Sequence, residues 1–169
     1  MSANAGKTPL SSRDEWRTPR YLFNWLHREH VFGIDLAATR NNTLCRNHFG
    51  LPVNALEEDW HPHALVGFCN PPYSRIAPWL IKAIDESRYG FTSVFLIPSP
   101  NGEKLYGDHV FGVASEVIFI TGRLSFLSPS GVAQSGNRWG SIVAIYRAYD
   151  LGATRYKHVL RSEIEKHGK

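Results

Sequence analysis

Apolar stretches alternate along the chain with polar segments that contain glycine or proline, and this alternation predicts secondary structure. Leu22 and Leu26 recur at helical spacing behind Pro19, which suits a first helical turn, so we expect a helix over about 19–30. A second helix is expected over Ile76–Ser87. Short apolar runs predict strands at Val31–Leu36, Leu65–Cys69, Thr92–Pro98, Glu116–Thr121 and Ser141–Tyr146, with a weaker candidate near Cys45–Leu51. Strands that alternate with helices indicate an α/β domain with a mainly parallel sheet.

Several parts of the chain lack this periodicity. Residues 1–12 are small or polar and predict a flexible N-terminal arm. Residues 99–115 and 122–140 are rich in Gly, Ser, Pro and Asn and are predicted to form long loops. Because long loops in a compact domain usually serve function, we expect substrate recognition there. The sequence thus predicts one domain over 13–150, followed by a basic C-terminal tail over 151–169.

Composition limits the class of protein. A chain of 169 residues with 43% hydrophobic content can form one well-packed domain. No run of about 18 apolar residues and no signal-peptide pattern is present, so we expect a soluble cytoplasmic protein without a membrane partner. Cys45 and Cys69 are the two cysteines, and the eight histidines lack a converging cysteine or carboxylate cluster. We therefore expect neither a disulfide framework nor a metal site.

The formal net charge of +4 is concentrated at the two ends of the chain. Residues 1–20 carry four Lys and Arg against two acids, and residues 147–169 carry six against three. Basic margins around a neutral middle suit a polyanionic partner, because neutralised phosphates release counterions. Two solvated ends without a partner would give the same charges, so this feature supports nucleic-acid binding without establishing it.

The most informative run is Asn70-Pro71-Pro72-Tyr73, which directly follows the strand predicted at Leu65–Cys69. Consecutive prolines lack a backbone N–H and cannot continue a sheet ladder, so the chain must turn here. The side-chain oxygen of Asn70 and the carbonyl of Pro71 can each accept one N–H of a planar amine. The ring of Tyr73 can stack on the plane of that amine. This run therefore predicts a site for a flat group that bears an –NH2.

An aromatic amine needs such acceptors because its lone pair is delocalised into the ring. Two acceptors favour a more tetrahedral nitrogen and stabilise the positive charge that develops as the nitrogen attacks. The alternative is a proline-rich ligand motif, which normally lies in a disordered polar stretch. Here the prolines lie between an apolar strand and the apolar run Trp79-Leu80-Ile81, which favours the catalytic interpretation.

Polar residues follow three of the predicted strands. Asp35 ends the first strand, Asn70 follows the 65–69 strand, and Ser99 follows the 92–98 strand. Ligands bind beyond the carboxyl ends of the strands in such a sheet, so we expect these residues at one edge, with Asp59 as a further carboxylate there. A helix N-cap for Asp35 and a turn for Asp59 are the structural alternatives.

Taken together, these residues resemble the phage-type Dam DNA adenine-N6 methyltransferases from about Asp14 to Arg147. The resemblance rests on Asp14-Glu15-Trp16-Arg17-Thr18-Pro19 with Leu22-Phe23, Ile34-Asp35-Leu36-Ala37-Ala38, Asp59-Trp60, Asn70-Pro71-Pro72-Tyr73-Ser74 and Gly122-Arg123-Leu124-Ser125-Phe126. It implies a Rossmann-like fold and S-adenosylmethionine as the cofactor.

The resemblance also implies residue roles. Asp35 would lie near the methionine end of the cofactor and Asp59 near the amino group of its adenine. Ala37-Ala38 stand where the wider superfamily has a Gly-x-Gly loop. The residues implied to bind the cofactor are Trp16, Thr18, Pro19, Asp35, Ala37, Asp59 and Asn41, with Asn42 as the alternative to Asn41 at the ribose.

For the substrate, the resemblance implies that Asn70, Pro71, Pro72 and Tyr73 hold a target adenine that has left the base stack of double-stranded DNA. Contacts to bases or phosphates are expected from Ser74, Arg123, Asn137 and Arg138, although Arg123 would equally suit a structural ion pair. The family suggests GATC as the recognition sequence, which the residues do not fix. Cytosine N4, RNA and protein amides remain as alternative substrates, and a non-catalytic DNA-binding protein on this fold is a further alternative.

Overall fold

The computed structural model describes residues 14–134, 139–150 and 152–169. Within these ranges, the two longer helices begin at prolines. Helix α1 spans Arg20–His30 directly behind Pro19, and helix α2 spans Ala77–Arg88 with a proline in its first turn. Two shorter helices are α3 (Lys104–His109) and α4 (Arg161–His167). Their buried faces are apolar, so each helix packs against the sheet.

Seven strands form one mixed sheet. They are β1 (Ile34–Asp35), β2 (Asn47–His48), β3 (Val66–Cys69), β4 (Thr92–Pro98), β5 (Glu116–Thr121), β6 (Ser141–Tyr146) and β7 (Arg155–Leu160). Their order is β2-β1-β3-β4-β6-β5-β7, and β6 alone runs antiparallel to its two neighbours. The carboxyl ends of the other six strands therefore lie at one edge of the sheet, as a mainly parallel α/β sheet predicts.

Strand β4 separates two hydrophobic cores because its side chains alternate between the two faces of the sheet. Phe95 and Ile97 belong to the first core, which α2 and α3 cover. Val94 and Leu96 belong to the second core, which α1 and α4 cover, the latter through Ile164. The protein is thus a three-layer α/β structure, with helices on both faces of the sheet.

Most of the expected elements are confirmed, and two differ in extent. Strand β1 contains only Ile34–Asp35, because Val31 ends α1 in the left-handed conformation (φ 48°) and the backbone N–H of Phe32 donates to His27 Nδ1 at 3.0 Å. Of the weak candidate near 45–51, only β2 forms a strand. No helix in the described ranges is long and apolar enough to cross a membrane.

The structure differs from the sequence predictions in two segments. Residues 152–169, predicted to form most of a basic tail, contain β7 and α4, which belong to the sheet and the second core. The predicted loop 99–115 contains α3. Strand β7 has no apolar pattern from which a strand could be predicted. It lies at the edge of the sheet and is mostly exposed, so its residues are largely polar. The N-terminal arm predicted over 1–12 lies outside the described residues.

Candidate active site

The turn that follows β3 fixes the orientation of the Asn70 side chain. Asn70 Nδ2 donates to the backbone carbonyl of Trp16 at 3.2 Å. A carbonyl can only accept, so the amide nitrogen must face Trp16 and the amide oxygen must face away. Asn70 Oδ1 is buried and has no hydrogen-bond partner among the described residues. Because a buried acceptor without a partner is costly, this atom is suited to receive a donor from a substrate.

Tyr73, at the end of the same turn, is held by its ring. The ring contacts Phe126 edge-on, with centroids 6.3 Å apart and an angle of 84°. Its hydroxyl is buried without a partner among the described residues, and burial raises the pKa of Tyr73 well above its ordinary value. The hydroxyl therefore stays protonated near neutral pH, and the side chain contributes a ring rather than an ionisable group.

A cavity of about 490 Å³ opens beside this ring at the carboxyl ends of β3 and β4. It is lined by residues of four segments, which are Tyr73–Pro78, Pro98–Ser99, Glu103–Tyr106 in part, and Trp139. The hydroxyl of Tyr106 donates to the carbonyl of Pro98 at 2.7 Å, which ties α3 to the end of β4. The cavity is large enough for a flat heteroaromatic ring, and Tyr73 is the residue of the 70–73 turn that lines it.

Asp35 provides a buried carboxylate on the other side of Asn70. It ends β1, is 4% exposed, and accepts from the backbone N–H groups of Leu44 (3.2 Å) and Ala37 (3.4 Å). Burial raises its pKa to about 6 against the opposing effect of these two bonds. The carboxylate is therefore mostly ionised at neutral pH, where it can attract a cationic ligand.

A second, small cavity of about 30 Å³ joins Asp35 to Asn70. Its lining residues are Asp14, Trp16, Arg17, Thr18, Asp35, Ala37, Ala38, Asn42, Leu44, Phe68 and Asn70. Four of the residues expected to bind a cofactor, namely Trp16, Thr18, Asp35 and Ala37, therefore meet here. Of the two asparagines considered for the ribose, Asn42 lines the cavity, whereas Asn41 is exposed and does not line it.

Residues 14–18, here called the strap, cover this cavity. Asp14 accepts from the backbone N–H of Ser74 at 3.1 Å and from its hydroxyl at 2.6 Å. Arg17 pairs with Leu127 through two backbone hydrogen bonds of 2.8 and 3.0 Å. The strap is thus attached both to the turn after β3 and to the segment that follows β5.

Besides Asn41, two expected cofactor residues do not line the cavity, namely Asp59 and Pro19. The side chain of Asp59 is 72% exposed and lies 3.8 Å from Lys82 Nζ, which is itself closer to Glu86 (2.7 Å). The neighbouring Trp60 is fully buried, and its Nε1 donates to the backbone carbonyl of Ala55. Asp59 therefore lies beside Lys82 of α2 and not at the cavity. Pro19 is buried ahead of α1 and does not line the cavity.

The residues expected to contact DNA are only partly placed. Ser74 is exposed beside the larger cavity but bonded to Asp14. Arg123 is exposed at the carboxyl edge, and its carbonyl accepts from Arg161 at 2.8 Å. Asn137 and Arg138 lie outside the described residues. Sequence reasoning missed Tyr106 and Trp139 at the larger cavity, because both fall in segments without periodicity.

No group of three or more His, Cys, Asp or Glu that could hold a metal ion occurs within residues 14–134, 139–150 and 152–169. Both cysteines are free, and burial raises the pKa of Cys69 well above its ordinary value. The chemistry available at this edge is therefore that of a buried carboxylate, an oriented amide oxygen and an aromatic ring.

Comparison with known proteins gives two kinds of match. The family model for DNA N-6-adenine-methyltransferase (Dam) matches residues 5–169. The chain is 29% identical over 170 residues to the DNA N-6-adenine-methyltransferase of Escherichia phage T1, covering 90% of this chain and 71% of that protein. It is 29% identical over 126 residues to the protein of the same name from Haemophilus phage HP1, covering 72% of this chain and 70% of that protein.

Proposed function

The chain belongs to the DNA N-6-adenine-methyltransferase (Dam) family, and we propose that it transfers a methyl group from S-adenosylmethionine to N6 of an adenine flipped out of double-stranded DNA. The observation that carries this proposal is the buried, unpartnered oxygen of Asn70, which Trp16 holds in the accepting orientation. A mixed sheet with this strand order is consistent with a Rossmann-like methyltransferase fold.

The residues of the turn act on the amino group. Asn70 Oδ1 accepts a hydrogen bond from one N6–H of adenine, and the carbonyl of Pro71 accepts one from the other. As N6 attacks a methyl group it becomes tetrahedral and gains positive charge, and both oxygens stabilise this charge without having to reorient. The bond from the methyl group to the donor sulfur would break with its electron pair on sulfur, and the methylated amine would then lose one proton to solvent. No basic side chain is needed in this step, which agrees with the absence of an ionisable base from the 70–73 turn.

The smaller cavity suits S-adenosylmethionine in its chemistry. Asp35 supplies a negative charge for a cationic ligand, Trp16 supplies an aromatic surface, and Ala37 allows close approach to the backbone. Once bound, this cofactor supplies an electrophilic methyl group on a sulfonium centre. Small-molecule sites occupy about 300–1,000 Å³, well above the roughly 30 Å³ present here. The cavity would therefore hold only part of the cofactor, and the rest would lie outside it.

The larger cavity would receive the base. Tyr73 forms one wall, and a ring contact of this kind contributes about 1–3 kcal/mol per base. Extruding a paired adenine costs a few kcal/mol, so this contact offsets a substantial part of that cost. The cavity also borders α3 and Trp139, which lie in the segments 99–115 and 122–140 that we expect to recognise DNA.

We further propose that the recognition sequence is GATC. The residues proposed to contact it are Arg123, Asn137 and Arg138. The family and the excess of basic residues at both ends of the chain support DNA as the partner. We place the reaction in the cytoplasm of a bacterial host, because the curated relatives are phage proteins.

The test is the transfer of tritium from labelled S-adenosylmethionine to duplex DNA, followed by digestion and separation of the nucleosides. We expect the label in N6-methyladenine. A duplex with a single GATC should accept more label than the same duplex with its two central bases exchanged. Label in N4-methylcytosine, in RNA or in protein, or no transfer at all, would contradict the proposed function.

A further inference from the structure

The strap holds the catalytic turn at both ends. At the start of the turn, the carbonyl of Trp16 accepts from Asn70 Nδ2 at 3.2 Å. Immediately after the turn, the two carboxylate oxygens of Asp14 accept separately from the backbone N–H (3.1 Å) and the hydroxyl (2.6 Å) of Ser74. Asp14 and Trp16, which are separated by one residue, therefore bond to Ser74 and Asn70. These two partners flank the segment Pro71–Tyr73.

The contact between Asp14 and Ser74 is the side-chain part of this attachment. A hydrogen bond to an ionised carboxylate is stronger than one between neutral groups, and here one carboxylate accepts two. The carbonyl of Trp16 belongs to the backbone, so its place depends on where the strap lies. Since Arg17 is also paired with Leu127 through the backbone, the strap is anchored on one side by main chain and on the other by Asp14.

The orientation of Asn70 decides whether the site can work. If the amide turned over, its NH2 group would face the substrate amine, and two donors would then meet without an acceptor. The carbonyl of Trp16 prevents this as long as the strap stays within hydrogen-bonding distance of Asn70. A displacement of about 1 Å at a reacting group can cost on the order of 100-fold in rate.

We propose that Asp14 is a positioning residue, whose bond to Ser74 keeps the strap in the place from which Trp16 orients the amide of Asn70. This inference rests on the proposed function, because it concerns the same site. Asp14 touches neither the base nor the reacting nitrogen. It acts through Ser74 and the strap, so its loss should reduce the rate of methyl transfer and leave the affinity for DNA largely intact.

The experiment compares Asp14→Ala and Asp14→Asn with the wild type in single-turnover methylation of one GATC duplex by S-adenosylmethionine. At saturating cofactor, Asp14→Ala should lower the rate constant by about 10- to 100-fold, with the Kd for DNA within about twofold. Saturation is needed because Asp14 also lines the cavity proposed for the cofactor. Asp14→Asn keeps one acceptor oxygen and should lose less. Glu15→Ala, which removes the adjacent exposed acid, is the matched control and should not change the rate.

The partner of Asp14 gives a second arm. Ser74→Ala should slow transfer, and Ser74→Thr, which keeps a hydroxyl, should slow it less. The double variant Asp14→Ala/Ser74→Ala should be no slower than Asp14→Ala, because the contact is already lost. Rates that multiply in the double variant would overturn the proposed coupling, as would an Asp14→Ala variant with the wild-type rate.

A readout without turnover separates this inference from the proposed function. In ¹⁵N-labelled protein, the side-chain amide signal of Asn70 should shift and its protons should exchange faster in Asp14→Ala than in Glu15→Ala. If the wild type forms no N6-methyladenine but the Asn70 signal responds in this way, the proposed function fails and the positioning contact stands. If the wild type is active and the signal is unchanged in Asp14→Ala, only the positioning role fails.

Discussion

Replacing Asn70 by alanine should separate stability from activity, because this side chain has one satisfied and one unsatisfied polar atom. The lost bond from Nδ2 to Trp16 is worth about 0.5–1.5 kcal/mol in net stability. The removed Oδ1 is buried without a partner, and an atom of this kind costs about 1–3 kcal/mol in the folded state. These two terms have opposite signs, so the effect of Asn70→Ala on the free energy of unfolding should lie between a loss of about 0.5 kcal/mol and a gain of about 2.5 kcal/mol.

The same substitution should strongly reduce the rate of methyl transfer. Oδ1 acts where charge develops, and removal of one preorganised group of this kind typically costs about 3–4 kcal/mol, or roughly 10²–10³-fold in kcat. Asn70→Asp keeps acceptor oxygens but can no longer donate to the carbonyl of Trp16, so it should retain more activity than Asn70→Ala. Cofactor affinity should stay nearly constant in both variants, because the bond that is lost forms with the base.

The assay combines thermal unfolding with single-turnover methylation and calorimetric binding of S-adenosylmethionine. The expected pattern for Asn70→Ala is a Tm close to or above that of the wild type, a rate constant at least about 100-fold lower, and unchanged cofactor affinity. A variant that keeps most of its rate would refute the assignment of Oδ1 as the acceptor. A variant that unfolds at a much lower temperature would show instead that Asn70 is mainly a structural residue of the turn.

Three further predictions concern neighbouring residues. Tyr73→Phe removes a buried, unpartnered hydroxyl, so it should fold at least as stably as the wild type and lose little activity. Tyr73→Ala should lose about 1–3 kcal/mol of affinity for a duplex with a mismatched target adenine, measured by titration at fixed salt. The pKa of Asp35 is about 6 in the folded protein, above its unfolded value. Asp35 therefore stabilises the fold at low pH, and this contribution is lost as the pH rises through about 6. Asp35→Asn should remove the resulting decline in Tm and should weaken cofactor binding. Asp59→Ala should leave calorimetric cofactor affinity within about twofold, and a larger loss would restore the role implied by the family resemblance.

The parts of the site that sequence predicted well are those fixed by short-range chemistry. Consecutive prolines must end β3, so Asn70 and Tyr73 had to lie at the carboxyl edge of the sheet. Asp35 follows the same logic, because it is the last residue of the neighbouring parallel strand. In each case the strand direction determines the edge, and the edge determines which side chains can meet.

The parts that sequence did not predict depend on distant packing. Asp14 and Ser74 are 60 residues apart, and no local pattern pairs them. Asp59 is expected at the carboxyl edge, near the adenine of the cofactor, but the adjacent Trp60 is buried and Asp59 lies exposed beside Lys82 of α2. Strand β7 has few buried residues because it lies at the edge of the sheet, so its sequence resembles that of a solvated tail.

Three tyrosines that pack against the first core differ in whether their hydroxyl groups find a partner. Tyr106 donates to the carbonyl of Pro98 at 2.7 Å, and Tyr146 donates to the carbonyl of His109 at 2.6 Å. Tyr73 lies against the same core, yet its hydroxyl has no partner among the described residues, and neither has Asn70 Oδ1 three residues earlier. Buried polar atoms without a partner also occur away from the turn, for example the hydroxyl of Tyr21, so a missing hydrogen bond alone does not identify a site. What distinguishes Asn70 Oδ1 is its position, because it belongs to a turn at the carboxyl edge of the sheet and is held in the accepting orientation by the carbonyl of Trp16. A substrate donor at this edge would satisfy it.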